Sequence, residues 1–191
     1  GRAQRLQRVL QMYSRYAGRD LSLDAPTFLA EQAGGDRNRA ISYLLRHFGM
    51  VNGSVEEALD LYLQQCSVMV TARDLAIMAA TLAGGGVNPM TGERAIAAEY
   101  VKDLLSIMYT CGMYDFAGGW AFNIGLPAKS GVGGGIIALV PGEMGVAVFS
   151  PPLDDHGNSV RGIRVFEELS KRLALHAFEP VARAQAGPCP G

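Results

Sequence analysis

A lysine, a serine and a glycine stand side by side shortly before an apolar segment: Lys129-Ser130-Gly131. The aliphatic segment from Ile136 to Val140, bounded by glycine and proline, predicts a buried strand. The triplet is therefore expected at a sheet edge, where free N–H groups can face a ligand. Such groups suit acyl transfer, because a carbonyl oxygen becomes negative in its transition state. A flexible turn with a solvated lysine explains the triplet alone equally well.

Two polar residues flank a pair of glycines earlier in the chain. Glu31 precedes Gly34-Gly35, and Asn38 follows them. A bend at the glycines can turn both side chains toward one point, because glycine adopts conformations that other residues avoid. The simpler interpretation is a solvated carboxylate and an asparagine in the first turn of a helix. Tyr62 shares the apolar stripe of its helix, which by itself predicts a core residue.

A tyrosine in a segment rich in glycine and aromatic residues is another candidate. Tyr114 follows Gly112-Met113, and the residues up to Phe122 predict a loop. A phenol there could carry a proton if a nearby cation lowered its pKa. Lys129 is the only lysine near this segment in the sequence.

The histidines and cysteines indicate neither a metal site nor a cofactor site. The histidines lie far apart without metal-ligand spacing, which favours surface or capping roles: His47, His156 and His176. The cysteines fit no disulfide framework and no Cys-x-x-Cys pair, and the first two are expected to pack: Cys66, Cys111 and Cys189. This cysteine usage predicts a reducing, cytoplasmic location.

Length and composition predict one folded domain. The chain has 191 residues, of which 49% are hydrophobic and 18% charged, enough for a sizeable core. Its net charge is −1 without a basic stripe, which argues against nucleic acid as the main partner. No apolar run reaches the roughly 18 residues that span a bilayer, so no membrane partner is expected.

Periodic apolar residues predict that most of the chain is helical. The predicted helices end at or near Gly18, Gly34, Gly49, Cys66, Gly84, Cys111 and Leu173. Capping residues begin several of them: Asp36, Ser54 with Glu57, Thr71 with Asp74, and Asn158 or Ser159. The third helix carries one apolar face: Ile41, Leu44, Leu45 and Phe48.

The segments 125–141 and 145–150 predict two strands in an antiparallel hairpin. Helices, then a hairpin, then a final helix describe an α+β domain, mostly helical. Two strands alone leave an exposed edge on each side, so further strands are expected from sequence outside this chain. The Pro- and Gly-rich residues 179–191 predict a tail or linker.

Six motifs, in order along residues 6–178, together resemble the serine-dependent glutaminases. They are Gly35-Asp-Arg-Asn38, Leu61-Tyr-Leu-Gln-Gln-Cys-Ser67, Met78-Ala-Ala-Thr-Leu-Ala-Gly-Gly-Gly86, Cys111-Gly-Met-Tyr-Asp-Phe116, Gly125-Leu-Pro-Ala-Lys-Ser-Gly-Val132, and Ser150-Pro-Pro-Leu-Asp154 with Gly157-Asn-Ser159. That family shares its fold with penicillin-binding proteins and class A β-lactamases. The resemblance implies an incomplete β-lactamase/transpeptidase-like domain.

The resemblance also implies hydrolysis of L-glutamine to L-glutamate and ammonia through an acyl-enzyme, without a cofactor. It implies that Glu31 meets the α-ammonium group of the substrate. Asn38 and Tyr62 would bind its head group, with the α-carboxylate the expected target. A carboxylate for the ammonium and donors for the carboxylate are what a zwitterion requires.

At the reacting amide, the resemblance implies three further roles. Tyr114 would relay protons, and the N–H group of Val132 would form half of an oxyanion hole. Lys129 would supply positive potential beside it.

The nucleophile motif of that family, Ser-x-x-Lys, is absent here. The residues three positions before the lysines are Glu99, Leu126 and Glu168. The family carries that motif upstream, with a substrate-binding asparagine. We therefore expect residues 1–178 to be the C-terminal part of a glutaminase domain, inactive by itself. Ser130 is not predicted as the nucleophile, because neighbours in a strand point to opposite faces.

Two alternatives remain at this point. A penicillin-recognising acylase of the same fold fits the Lys-Ser-Gly triplet but does not explain an anionic group at Glu31. A non-catalytic relative that has lost its nucleophile is the second.

The amphipathic helices carry more apolar residues than one hairpin covers, and the resemblance suggests a homodimer or homotetramer.

Overall fold

A computed structural model describes residues 1–179, apart from the side chain of Arg2. The α-helices are α1 Arg2–Ala17, α2 Ala25–Ala33, α3 Asp36–His47, α4 Val55–Cys66, α5 Ala72–Ala83, α6 Ala98–Cys111, α7 Ala117–Asn123 and α8 Val160–Leu173. A 3₁₀ turn, Tyr114–Phe116, precedes α7. The strands are β1 Ala128–Ser130, β2 Gly135–Val140 and β3 Met144–Phe149. The predicted tail lies outside the described residues except for Glu179.

The helix boundaries follow the caps that the sequence contains. Thr71 and Asp74 form a reciprocal capping box at the start of α5. Ser159, the second of the two predicted candidates, accepts a hydrogen bond from the N–H of Gly162 and caps α8. Asp36 is not a cap, because it is already the first residue of α3 and Gly35 occupies the cap position. Gly18 ends α1 with a φ of 73°, a left-handed conformation that suits glycine.

The sheet has three antiparallel strands in the order β1-β2-β3. The prediction of a two-stranded hairpin is therefore incomplete. The segment predicted as its first strand contains both β1 and β2, which the turn at residues 131–134 separates. Gly131 donates to the carbonyl oxygen of Gly135 at 2.9 Å and closes that turn. In the register, Lys129 pairs with Ile137 and Ser130 with Ile136. As predicted, the triplet starts at an edge strand.

The central strand β2 is covered on both faces. Ile136 and Ala138 face one core cluster, which contains Trp120 of α7 and Phe166 of α8. Those two rings pack edge to face with centroids 5.3 Å apart. Ile137 and Leu139 face a second cluster between α5 and α6. This alternation explains the continuous apolar sequence of the strand.

The close packing of α5 against β3 depends on Gly145. A Cβ atom at this position would lie 2.1 Å from the backbone nitrogen of Ala80, so no other residue fits without moving the helix. Glycine here is thus a requirement of helix–sheet contact and not of a turn.

Residues 117–123 form α7, where the sequence predicts a loop. The helix is stabilised by tertiary contacts, since Trp120 is fully buried and donates from Nε1 to the carbonyl oxygen of Leu126 at 2.8 Å. His176 contacts the carbonyl oxygens of Ala121 and Phe122 at 3.1 and 3.2 Å, which confirms a capping role for this histidine. Within residues 1–179, no helix combines the length and apolarity needed to cross a membrane.

The apolar face of α3 is exposed in the described part of the chain. Its members have exposed fractions from 36% to 66%: Ile41, Leu44, Leu45 and Phe48. The periodicity therefore predicted the helix and its apolar face correctly. It could not predict which surface covers that face.

Candidate active site

The Lys-Ser-Gly triplet occupies the edge strand β1 with alternating side chains. Lys129 is exposed, whereas Ser130 on the opposite face is only 2% exposed. The N–H of Ser130 donates to the carbonyl oxygen of Gly112 at 3.0 Å, which attaches the strand to the end of α6. Within residues 1–179, the Ser130 hydroxyl has no hydrogen-bond partner. The turn after the strand leaves Val132 exposed beside the sheet edge.

Tyr114 and Lys129 meet at a single carbonyl group. The Tyr114 hydroxyl donates to the carbonyl oxygen of Ser130 at 3.2 Å. The Lys129 ammonium donates to the same oxygen and lies 4.6 Å from the centroid of the Tyr114 ring. A cation over an aromatic face is attracted by the ring quadrupole. The phenol and the ammonium are thereby held together at the end of β1.

The backbone of Tyr114 is strained. Its φ is 53°, in the left-handed region that a tyrosine rarely adopts. Such a conformation costs on the order of 1–3 kcal/mol and persists only where the surroundings enforce it. The strain directs the ring toward β1 at the point where α6 ends.

Burial raises the pKa of Tyr114 above its ordinary value, and the thiol of Cys66 adds to this effect. The backbone N–H of Val132 acts in the opposite direction, because it favours the ionised phenol. The condition stated from the sequence, a pKa lowered by a nearby cation, is therefore wrong. A phenol with a raised pKa stays protonated near neutral pH and suits proton donation. Burial also lowers the pKa of Lys129.

Tyr62 links Glu31 to Tyr114. Tyr62 lies on α4 and is 50% exposed, so it is not the core residue that the stripe predicts. Its pKa is raised chiefly by the charge of Cys66, then by burial and a hydrogen bond to that thiol, with smaller effects of Tyr114 and Glu31. Because such interactions decay over short distances, these side chains face one region.

Asn38 joins this group less directly. It lies in the first turn of α3, which packs against α4, and its side chain is half-buried. The backbone carbonyl oxygen of Asn38 accepts a hydrogen bond from the hydroxyl of Ser42 at 2.8 Å. Within residues 1–179, no hydrogen bond joins the Asn38 side chain to Glu31 or Tyr62. Tyr114 and Lys129 are thus in direct contact, Val132 adjoins the phenol, and Glu31 and Tyr62 are near enough to interact electrostatically.

Cys66 was missed as a functional-site residue. Cys66 and Cys111 are exposed as whole residues, although the Cys66 thiol is partly buried, so the prediction that these cysteines pack in the core is wrong; Cys189 lies outside the described residues. Burial raises the pKa of Cys66, and the charges of Glu31 and Lys129 act on it with opposite signs. Both charged candidates are therefore near enough to influence this thiol. The sequence predicted that a helix ends at Cys66, but the position of the thiol beside β1 depends on tertiary packing.

A cavity of about 600 Å³ opens beside these residues. Its walls come from the end of α4, the start of α5 and the strands β1 to β3, and include Cys66, Leu75, Lys129, Ser130 and Gly131. Most of this lining is apolar, and the unpartnered Ser130 hydroxyl is part of it. A cavity of this size suits a small molecule or a packed segment of protein.

Comparison with known proteins identifies the family. A sequence model of the Glutaminase family matches residues 1–178. The chain is 61% identical to a glutaminase of Trichormus variabilis over 181 residues, which are 95% of this chain and 54% of the relative. It is 61% identical to a glutaminase of Nostoc sp. over 179 residues, again 54% of that protein. The chain thus spans about half the length of these curated relatives.

Solved structures agree with the sequence comparison. The probable glutaminase YbaS superposes with a TM-score of 0.90 at 44% identity, over 94% of this chain and 58% of that one. Mglu in its glutamate form superposes with a TM-score of 0.88 at 45% identity, over 92% of this chain and 40% of that one. From the family match, the identities and the shared fold, we conclude that this chain belongs to the Glutaminase family.

Proposed function

We propose that the complete protein hydrolyses L-glutamine to L-glutamate and ammonia through an acyl-enzyme. One observation supports the proposal beyond family membership: a phenol and an ammonium, those of Tyr114 and Lys129, meet at the end of β1 beside the turn at Val132. The phenol of Tyr62 interacts electrostatically with Tyr114 and with the carboxylate of Glu31. A zwitterionic amide substrate requires this set of groups. Mglu, a structural neighbour, is known in a glutamate form, which supports the choice of substrate class.

The head group of glutamine is recognised by Glu31, Tyr62 and Asn38. The Glu31 carboxylate pairs with the α-ammonium, and the other two donate to the α-carboxylate. Each charged hydrogen bond contributes about 1.5–3 kcal/mol where water is excluded. Asn38 reaches the substrate from the first turn of α3, across the bend at Gly34-Gly35.

The reacting amide lies between Tyr114 and Val132. The N–H of Val132 stabilises the negative oxygen of the tetrahedral intermediate, which is typically worth about 3 kcal/mol of barrier for one donor. The protonated Tyr114 phenol delivers a proton to the departing nitrogen as the C–N bond breaks. The ammonium of Lys129, held against the phenol ring, stabilises negative charge there.

The nucleophile comes from a Ser-x-x-Lys segment upstream of this chain. The serine oxygen bonds to the amide carbon while the lysine amine takes its proton. After ammonia leaves, water cleaves the resulting ester and releases glutamate. Residues 1–178 then form the C-terminal part of a β-lactamase-like catalytic domain that is cytoplasmic and self-associates as a homodimer or homotetramer.

The experiment that tests this function measures ammonia release by the complete protein. We expect release from L-glutamine, and none from L-asparagine, because the shorter side chain cannot span from Glu31 to Val132. A penicillin that labels the protein covalently, without turnover of glutamine, would support a penicillin-recognising relative instead. Lack of ammonia release at all phosphate and salt concentrations would reject the proposal.

A further inference from the structure

The chain between β3 and α8 closes a compact loop at residues 154–158, here called the supporting loop. The Asp154 carboxylate accepts from the backbone N–H groups of His156 and Asn158 at 3.0 and 2.8 Å. The N–H of Asp154 donates to the carbonyl oxygen of Asn158 at 2.8 Å. These bonds fix the loop conformation without help from the rest of the molecule.

The supporting loop contacts the segment that carries Tyr114 on both sides of that residue. On one side, the Asn158 amide Nδ2 donates to the carbonyl oxygen of Met113 at 3.4 Å. On the other side, the ring of His156 stacks on that of Phe116, with centroids 6.0 Å apart. Tyr114 is thus held between two points of one rigid loop.

Between these two points, Gly157 faces both Tyr114 and Val132. A Cβ atom on Gly157 would lie 3.9 Å from Cε2 of the Tyr114 ring and 3.5 Å from Cγ1 of Val132. The φ of Gly157 is 88°, which favours glycine at this place. The backbone of the loop therefore lies beside the Tyr114 ring and the Val132 side chain at once.

Two features of this contact are costly in free energy. Tyr114 has the strained φ described above, and Asn158 is fully buried with no hydrogen-bond partner for its Oδ1 among residues 1–179. A buried, half-satisfied amide costs about 1–3 kcal/mol relative to an apolar residue of the same shape. Neither feature improves the packing of α8, whose cap is Ser159.

We propose that the supporting loop is a positioning device for Tyr114 and Val132, with Asn158, Gly157 and His156 as positioning residues. Asn158 and His156 hold the two ends of the Tyr114 segment, and Gly157 lets the loop lie close to both the Tyr114 ring and the Val132 side chain. None of the three touches the substrate. The inference rests on the proposed glutaminase function and adds residues that act through the reacting groups.

The first test compares three variants of the complete protein: Asn158→Ala, Gly157→Leu and Gly53→Leu. A leucine is used at the glycines because a methyl group at Gly157 would make only ordinary contacts with Tyr114 and Val132, whereas a longer side chain would displace them. Gly53 is the matched control, because its φ of 89° equals that of Gly157 within a degree while nothing lies within 4 Å of its Cβ position. We expect kcat to fall at least about tenfold in the first two variants, since misplacement of a reacting group by about 1 Å can reduce rates about 100-fold. KM for glutamine should stay within about twofold, because the head-group residues lie on other elements.

The second test uses the exposed His156, whose replacement should not impair folding. We expect His156→Ala to lower kcat and His156→Phe to restore it, because the phenyl ring can keep the stack on Phe116. Should Asn158→Ala fail to fold, this pair decides the question.

Three results would overturn the inference. They are an unchanged kcat in Gly157→Leu and Asn158→Ala, an equal loss in Gly53→Leu, and a loss in His156→Ala that phenylalanine does not restore. An inactive wild-type protein is a different result, since it rejects the proposed function itself.

Discussion

The carbonyl oxygen of Ser130 accepts from both the Tyr114 phenol and the Lys129 ammonium. This shared acceptor fixes two reacting groups with one backbone atom. In the proposed function the roles divide between two groups: Glu31 and Tyr62 would meet the head group of the substrate, and Tyr114, Lys129 and the Val132 amide would act at the reacting amide.

Replacement of Glu31 by glutamine tests the head-group role. We expect KM for glutamine to rise about 10- to 100-fold with a smaller change in kcat, because a charged contact worth about 1.5–3 kcal/mol is lost. Steady-state kinetics of the complete protein measure both constants. Glu143→Gln, at an exposed turn position, is the control. If KM is the same in both variants, Glu31 does not bind the ammonium.

Tyr114→Phe tests proton transfer. We expect kcat to fall about 10²- to 10⁴-fold with little change in KM. Since burial raises the pKa of Tyr114 above its ordinary value of 10, the phenol stays protonated below that pH and loses its proton only above it. The loss of kcat assigned to Tyr114 should therefore begin above pH 10 and be absent from the variant. Tyr100→Phe, exposed on α6, is the control. An unchanged kcat in Tyr114→Phe would exclude the role.

At the scale of elements, local signals predicted what local forces determine. The caps at Ser54, Thr71 and Ser159 define where their helices begin, because each side chain accepts a hydrogen bond from the backbone N–H three residues later. The helix α7 could not be predicted, since its glycines favour a loop and burial of Trp120 against Phe166 overrides them. The supporting loop and Cys66 belong to the site only through tertiary contacts.

The glycines of α7 and β3 predict opposite effects of the same substitution. We expect Gly145→Ala to destabilise the protein by several kcal/mol, because its methyl group would overlap the backbone of α5. Gly118→Ala should stabilise by about 0.5–1 kcal/mol, since Gly118 is helical and nothing lies within 4 Å of its Cβ position. Urea unfolding of the complete protein measures both. Equal effects would contradict the packing.

Acid stability should depend on the capping carboxylate of α5. Asp74 is buried and accepts two hydrogen bonds from the Arg19 guanidinium, at 2.8 and 2.6 Å. It also accepts from the backbone N–H of Thr71 within the capping box. Arg19, and then the hydrogen bonds from Thr71, hold the pKa of Asp74 well below its usual range. Because the pKa of Asp74 is lower in the folded than in the unfolded protein, its ionised form stabilises the fold at pH values above the unfolded-state pKa near 4. This stabilisation is lost progressively as the pH falls below that value.

Asp74→Asn should therefore lower the free energy of unfolding by about 2–3 kcal/mol at pH 7. It should lose less stability than the wild type between pH 4 and the acid transition. Denaturant unfolding at several pH values measures this difference. Asp103→Asn, beside Lys102 on the surface, is the control and should change little. Parallel pH dependence of wild type and Asp74→Asn would contradict the assignment.

At the scale of the whole molecule, the exposed face of α3 is the feature that a single copy of residues 1–179 leaves unexplained. An exposed apolar surface of this kind usually forms a contact with another protein surface. In the proposed homo-oligomer, that surface is a second copy.

Leu44→Glu should then dissociate the complete protein into smaller species without unfolding it, because a charge would be placed in the contact. Light scattering coupled to size-exclusion chromatography measures the mass, and circular dichroism the folding. Val165→Glu, exposed on α8, is the control. If Leu44→Glu unfolds the chain instead, another part of the same polypeptide covers the face.

The double coverage of β2 has a consequence for how the molecule loses its structure. Both helical layers rest on this strand, so neither can detach without exposing Ile136 and Ala138 on one face or Ile137 and Leu139 on the other to water. Detachment of either layer is therefore costly, and we expect both layers to melt in one cooperative transition. β1, bonded to β2 along its length, keeps the phenol and the ammonium in register until that transition.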